Sequence, residues 1–206
     1  MDEHPCDAEG KAFARLAQLM RLLLEPAGCP WDQEQTLASL RQYVIEEAEE
    51  VVAAVDKLLD VEARMRQQQG LPPADPSPPP QFTTAHQDKG RCQAHHPARH
   101  DFNQCSSASG APLDKSELPA DLRSQWDDAR RQLVAELGDL LLQPVFQGEL
   151  GAKMGYFTLT DIIESIRGKL IRRHPHVFGS TEVNSAEEVL DNWEEIKSKE
   201  KAGEER

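Results

Sequence analysis

"RRQLVAELGDLLLQPVF", residues 130–146, is the stretch on which the fold turns. At about 100° per residue, Leu133, Val134, Leu137, Leu140, Leu141, Leu142, Val145 and Phe146 cover almost every direction of a helical wheel. The polar exception is one narrow stripe: Gln132, Glu136, Asp139 and Gln143. A helix that is apolar nearly all round is a buried helix. Acids on it are costly unless they are paired or bound to a metal. The stretch therefore demands a helical fold and a partner for Glu136 and Asp139.

A second acidic helix supplies candidates. In "VIEEAEEVVAAVD", residues 44–56, the set Leu40, Val44, Ala48, Val51, Val52, Val55 and Leu59 gathers on the side of the wheel opposite Glu46. Glu47 and Glu50, three apart, fall side by side on the flank of that apolar face. Glu46 lies just behind them, and Glu49 points away as ordinary solvated surface. If the two helices pack together, Glu47, Glu50, Glu136 and Asp139 can form an all-oxygen cluster. Four carboxylates in one place cannot all stay ionised without a counter-charge. Hard oxygen donors favour magnesium, manganese or calcium over zinc. Spacing alone leaves a second reading open, in which the acids join a buried network with Lys or Arg, or lie on faces that never meet. A di-iron bundle would need Glu-x-x-His pairs, and neither helix has a histidine at that spacing.

The rest of the chain fits an all-α helical bundle. Periodicity and capping signals predict helices over about 10–24, from 33 to the low sixties, 127–147, 160–173 and 185–200. Capping-box spacings are read at Asp32 with Gln35, Asp161 with Glu164, and Ser185 with Glu188. Strand signals are nearly absent. Residues 1–206 read as a single domain with a helical core at about 10–62 and 127–200. Between them, 66–120 holds most of the prolines and has no period, so it is expected to be a disordered insertion. Cys92, His95, His96, His100 and Cys105 inside it match no zinc template.

Bulk properties narrow the function. The 206 residues are 38% hydrophobic and carry a formal charge of −13, with a mean hydropathy of −0.62. That charge argues against a nucleic-acid polymer or an anionic membrane as partner. It would also repel a phosphate-rich substrate unless a cation intervened. No apolar run approaches the roughly 18 residues of a membrane span. The acidic N-terminus lacks the order of a secretory signal, and the four cysteines form no CxxC. A cytoplasmic protein in a reducing compartment is expected.

Positive charge is concentrated in "RGKLIRRHPHVFG", residues 167–179, where Lys169 and Arg173 share a helix face. Cations suit a helix C-terminus through its dipole, and they equally suit a phosphate grip. Further on, "NWEEIKSKEK" places Trp193 and Lys197 four apart. Trp193 reads either as core, among Val189, Leu190 and Ile196, or as a base-stacking platform.

Taken in order, "GCPWDQEQT", "EEAEEV", "ELGDLLLQ", "KLIRRHPHVFG" and "NWEEIKSKEK" resemble a MazG-type nucleoside triphosphate pyrophosphohydrolase. The resemblance covers about 13–60 and 130–200. It implies a helical bundle of the all-α NTP pyrophosphatase type, usually oligomeric (a dimer or larger). It also implies magnesium, with manganese as a substitute, held by Glu47, Glu50, Glu136 and Asp139. By the same resemblance Glu46 helps orient the attacking water, and Lys169 and Arg173 contact phosphate, with Arg172 beside them. Trp193 and Lys197 would bind the nucleotide. The implied reaction is attack of a metal-activated water at the α-phosphorus of a nucleoside triphosphate, releasing monophosphate and pyrophosphate. Substrates of broad or non-standard base are expected. The rival is a nucleotide-binding regulatory protein without turnover, motivated by Pro144 inside the acid-bearing helix and by the long insertion.

Overall fold

A proline at the first helical position sets the chain's first departure from its sequence reading. A computed structural model of the chain describes residues 5–72 and 113–203. In it, α1 (Pro5–Leu24) is followed by the short α2 (Pro30–Glu34), which opens on Pro30 with Cys29 as N-cap. Proline's fixed φ suits that first position. Asp32 consequently lies inside α2 and Gln35 ends it in an extended conformation, so the expected Asp32–Gln35 box does not form. Thr36 and Ser39 make the reciprocal pair instead. The Thr36 amide donates to Ser39 Oγ at 2.9 Å, and the Ser39 amide to Thr36 Oγ1 at 3.1 Å. The long α3 (Arg41–Gln68) follows directly.

After a 3-10 turn at Lys115–Glu117 come α4 (Ala120–Met154), α5 (Leu159–Arg173), α6 (Pro175–Phe178) and α7 (Ala186–Ala202). The fold is all-α, with no strand among the described residues. No helix among them is long and apolar enough to cross a membrane. The N-terminal box of α5 is Thr158 with Asp161, three residues earlier than expected. For α7 the expected Ser185 cap is present, with the return bond shifted by one residue. Ser185 accepts from the Glu188 amide at 3.2 Å, and the Glu188 carboxylate reaches back to the Asn184 amide at 2.7 Å. Helix α4 continues through Pro144, which lies on an exposed side.

Ordered structure enters the expected insertion from both ends. Helix α3 runs to Gln68, and Leu118 is buried. The remainder, 73–112, with its cysteines and histidines, lies outside the described residues.

The chain divides into two compact units, with α5 crossing from one to the other at Ile163–Glu164. In the first, α3 and α4 form a long pair. Lys57 Nζ donates to Gln132 Oε1 at 2.7 Å and Arg64 Nη1 to Gln125 Oε1 at 2.8 Å, which fixes the pair as antiparallel. One apolar cluster joins Ala17, Met20 and Leu24 of α1 to Leu40, Val145, Phe146, Leu150 and Leu159. A separate one, at the other end of the pair, joins Val61 and Met65 to Leu118, Leu122 and Ala129. Gly148 and Gly151 let Leu159 and Phe157 approach α4, since a Cβ at Gly151 would lie 2.6 Å from the Phe157 ring. In the second unit, α5's last turn and α7 are tied by arginine–carboxylate bonds.

Candidate functional site

The two apolar clusters leave a polar gap midway along the α3–α4 pair, and the acids occupy it. The register shows how. One heptad back from Lys57 is Glu50, and one heptad on from Gln132 is Asp139, so the antiparallel pairing brings these residues level. One carboxylate oxygen from each of Glu47, Glu50 and Glu136 lies within 4.8 Å of the others. Asp139 is not one of that trio, but its charge acts on Glu47.

Glu47 carries the electrostatic strain. Burial, then the charges of Asp139, Glu50, Glu136 and Glu46, hold its carboxyl above the usual range. No Lys or Arg forms an ion pair with any of these acids among the described residues. A buried acid–base network, the alternative that spacing left open, is therefore absent there. An all-oxygen trio with mutual repulsion and no basic partner is a donor set that suits a hard divalent cation.

The wheel had set Glu47 on the flank of α3's apolar face. The face that packs is centred elsewhere. Leu40, Ala54, Val61 and Met65 are buried, whereas Val52 is 60% exposed. Glu47 falls in the middle of the packed side, about 90° from where the apolar residues averaged. On α4 likewise, Val134, Leu137 and Leu141 are exposed, so this helix is not buried all round. Gln143, last of the polar stripe, is buried, and its Oε1 has no partner among the described residues. Glu46, Glu49 and Glu50 are exposed.

Sequence reasoning missed a buried acid farther along α4. Glu149 accepts a hydrogen bond from Arg21 Nε of α1 at 2.9 Å. Only its position among apolar neighbours (Phe146, Leu150) hinted at burial.

In the second unit, Arg173, His174 and Trp193 come together. The Arg173 guanidinium lies 5.3 Å from the Trp193 ring centre, and the His174 ring meets the same indole edge-on at 5.1 Å. Arg172 and Arg173 both bond to Glu200. Lys197 pairs with Glu194 at 3.0 Å. Lys169 is half-buried, with no ion pair among the described residues. Glu200 was not among the residues expected at the site. It stands one and two turns beyond Lys197 and Trp193, so their shared face was the signal that could have found it.

Comparison with known proteins meets this geometry directly. A family model described as the MazG nucleotide pyrophosphohydrolase domain matches residues 35–178. The chain belongs to that family. The MazG match contains all the acids of the cluster together with Lys169, Arg172 and Arg173, and it stops before Trp193 and Lys197. A nucleoside triphosphate pyrophosphohydrolase of Escherichia coli K12 is 31% identical over 189 residues, which is 91% of this chain and 45% of that protein. The nucleoside triphosphate pyrophosphohydrolase/pyrophosphatase MazG of Thermotoga maritima is 29% identical, covering 93% of this chain and 46% of its own length. An uncharacterized protein of Bacillus subtilis, YabN, is 29% identical over 92% of this chain and 24% of its own. The chain thus spans less than half the length of these relatives. No solved structure matches it.

Proposed function

We propose that this chain is a magnesium-dependent nucleoside triphosphate pyrophosphohydrolase, converting a nucleoside triphosphate and water to monophosphate and pyrophosphate. The observation that carries the reading is the trio of carboxylate oxygens within 4.8 Å, inside the region matched to the family and without a basic partner. Glu47, Glu50, Glu136 and Asp139 would hold the metal. A divalent cation bound there neutralises charge between acidic protein and triphosphate and makes water a stronger nucleophile. Glu46, exposed next to the cluster, accepts a hydrogen bond from the attacking water and orients it toward the α-phosphorus. Lys169 and Arg173 bind the phosphate oxygens and stabilise the charge that develops on them, with Arg172 in support. Trp193 and Lys197 hold the nucleoside end. Manganese, also a hard cation, would substitute for magnesium.

The reading includes a homo-oligomer. Ile45, Val52 and Leu59 are exposed at seven-residue intervals along α3, and Val134, Leu137 and Leu141 are exposed along α4. Apolar stripes of this kind on neighbouring helices match what a second copy would cover.

Turnover of several nucleoside triphosphates, with magnesium and then with chelator, tests the proposal. Magnesium-dependent release of pyrophosphate is expected. Nucleotide binding with no release under any divalent cation would favour a regulatory protein instead.

A further inference from the structure

Arg172 and Arg173 approach Glu200 in the same way. Arg172 places Nε at 3.1 Å and Nη2 at 3.0 Å from Oε1, and Arg173 places Nε at 3.0 Å and Nη2 at 2.6 Å from Oε2. Each guanidinium thus spends its side edge, Nε with Nη2, on one oxygen of the same carboxylate. A guanidinium has five N–H donors in a rigid plane, and a side-on pairing leaves its end edge, Nη1 with Nη2, able to take a second oxyanion. For Arg173 that end edge has no other acceptor among the described residues. The Trp193 ring covers the guanidinium, which restricts its tilt.

The surroundings make this more than a surface ion pair. Glu200 and Arg173 are only 12% and 16% exposed. The hydrogen bond from Arg173 is the main reason that the Glu200 carboxyl is held below the usual range, with Arg172 adding to it. Glu200 therefore remains a carboxylate at neutral pH. It stands on the same face of α7 as Trp193, so one helix supplies both the anchor and the cover for Arg173.

We infer that Glu200 is a positioning residue, holding Arg172 and Arg173 side-on so that the free end edge of Arg173 is presented to a substrate phosphate. The inference rests on the proposed phosphate contact of Arg173. It excludes the opposite role, in which the carboxylate occupies the phosphate's place and must be displaced.

Inorganic pyrophosphate without metal is the probe, titrated by calorimetry into the full chain and into Glu200→Gln, Arg173→Ala and the double variant. Kinetics with a nucleoside triphosphate and magnesium run in parallel. Glu200→Gln is expected to weaken pyrophosphate binding about tenfold, because a loosely held arginine misplaces its donors. The loss in kcat/KM should be of the same size and should lie mainly in KM. In the Arg173→Ala background Glu200→Gln should add little, and Glu200→Asp should recover part of the affinity. Unchanged affinity in a folded Glu200→Gln, or an equal loss in both backgrounds, would reduce Glu200 to a helix tie and overturn the inference. Tighter binding would overturn it in favour of competition. If Arg173→Ala itself leaves affinity and turnover unchanged, the phosphate contact is what fails, and the inference goes with it.

Discussion

Glu47 and Glu49 sit two residues apart in one acidic run, yet their surroundings differ. Glu47 is half-buried on the packed side of α3, and Glu49 is exposed. Under the proposed reading Glu50 and Asp139 hold the metal, and neutralising either removes charge that the site would depend on. Glu50→Gln and Asp139→Asn are each expected to lower turnover by a factor on the order of 100 or more while circular dichroism stays helical. Glu49→Gln should stay within about twofold of the parent. Equal losses at Glu49 and Glu50 would disprove the directional argument. Glu47 also makes a prediction about stability. Its carboxyl is raised by burial first and neighbouring acids second. A folded-state value above the unfolded one gives stability that is complete at low pH and lost as pH rises through the folded value. In chelator at neutral pH, Glu47→Gln should therefore melt at a higher temperature than the parent. That gap should close toward low pH, where the carboxyl is protonated in the folded and unfolded states alike. Thermal melts across this range would check it, and a neutral-pH melt lower than the parent's would contradict it. At this scale the sequence was informative about Glu47, Glu50 and Glu136, which meet, and poor on their exact setting and on Asp139, which is not one of that trio. The wheel averaged two apolar faces of α3, one packed on α4 and one left exposed, and so shifted Glu47 to an edge it does not occupy.

Among the elements, helix ends were legible only where the box stood alone. Ser185 with Glu188 was read correctly, whereas Asp32 and Asp161 each had a competitor nearby. Pro30 started α2 before Asp32 could cap it, and Thr158 took Asp161 as its partner. Local competition of that kind is settled by backbone geometry, which a spacing rule does not contain. The turn after α1 has a stricter requirement. The Cys29 amide donates to the Leu23 carbonyl at 2.8 Å, and a Cβ on Gly28 would lie 2.2 Å from that same oxygen. Because the obstacle is backbone, Gly28→Ala should destabilise the protein by about 1–3 kcal/mol or more, measured by urea unfolding. Pro144 works in the other direction. It lacks the N–H that would meet the Leu140 carbonyl, and its side is exposed. Pro144→Ala should stabilise the chain by up to about 3 kcal/mol, and a loss of stability would mean that α4 depends on the proline's geometry.

At the scale of the whole molecule, the all-α class was legible from periodicity, and the family from five motifs in order. The exposed stripes on α3 and α4 were not, because a wheel cannot tell a face buried within the chain from one awaiting another copy. Under the oligomer reading, Val52→Lys and Val134→Lys should shift the protein to a lighter species in sedimentation. A parent that sediments as a monomer would remove that part of the account. The central claim is chemical: water attacks the α-phosphorus. Turnover of a nucleoside triphosphate with magnesium in water labelled with heavy oxygen tests it most directly. The account predicts pyrophosphate free of label and a nucleoside monophosphate carrying it. Label in pyrophosphate, or release of diphosphate with orthophosphate, would contradict it.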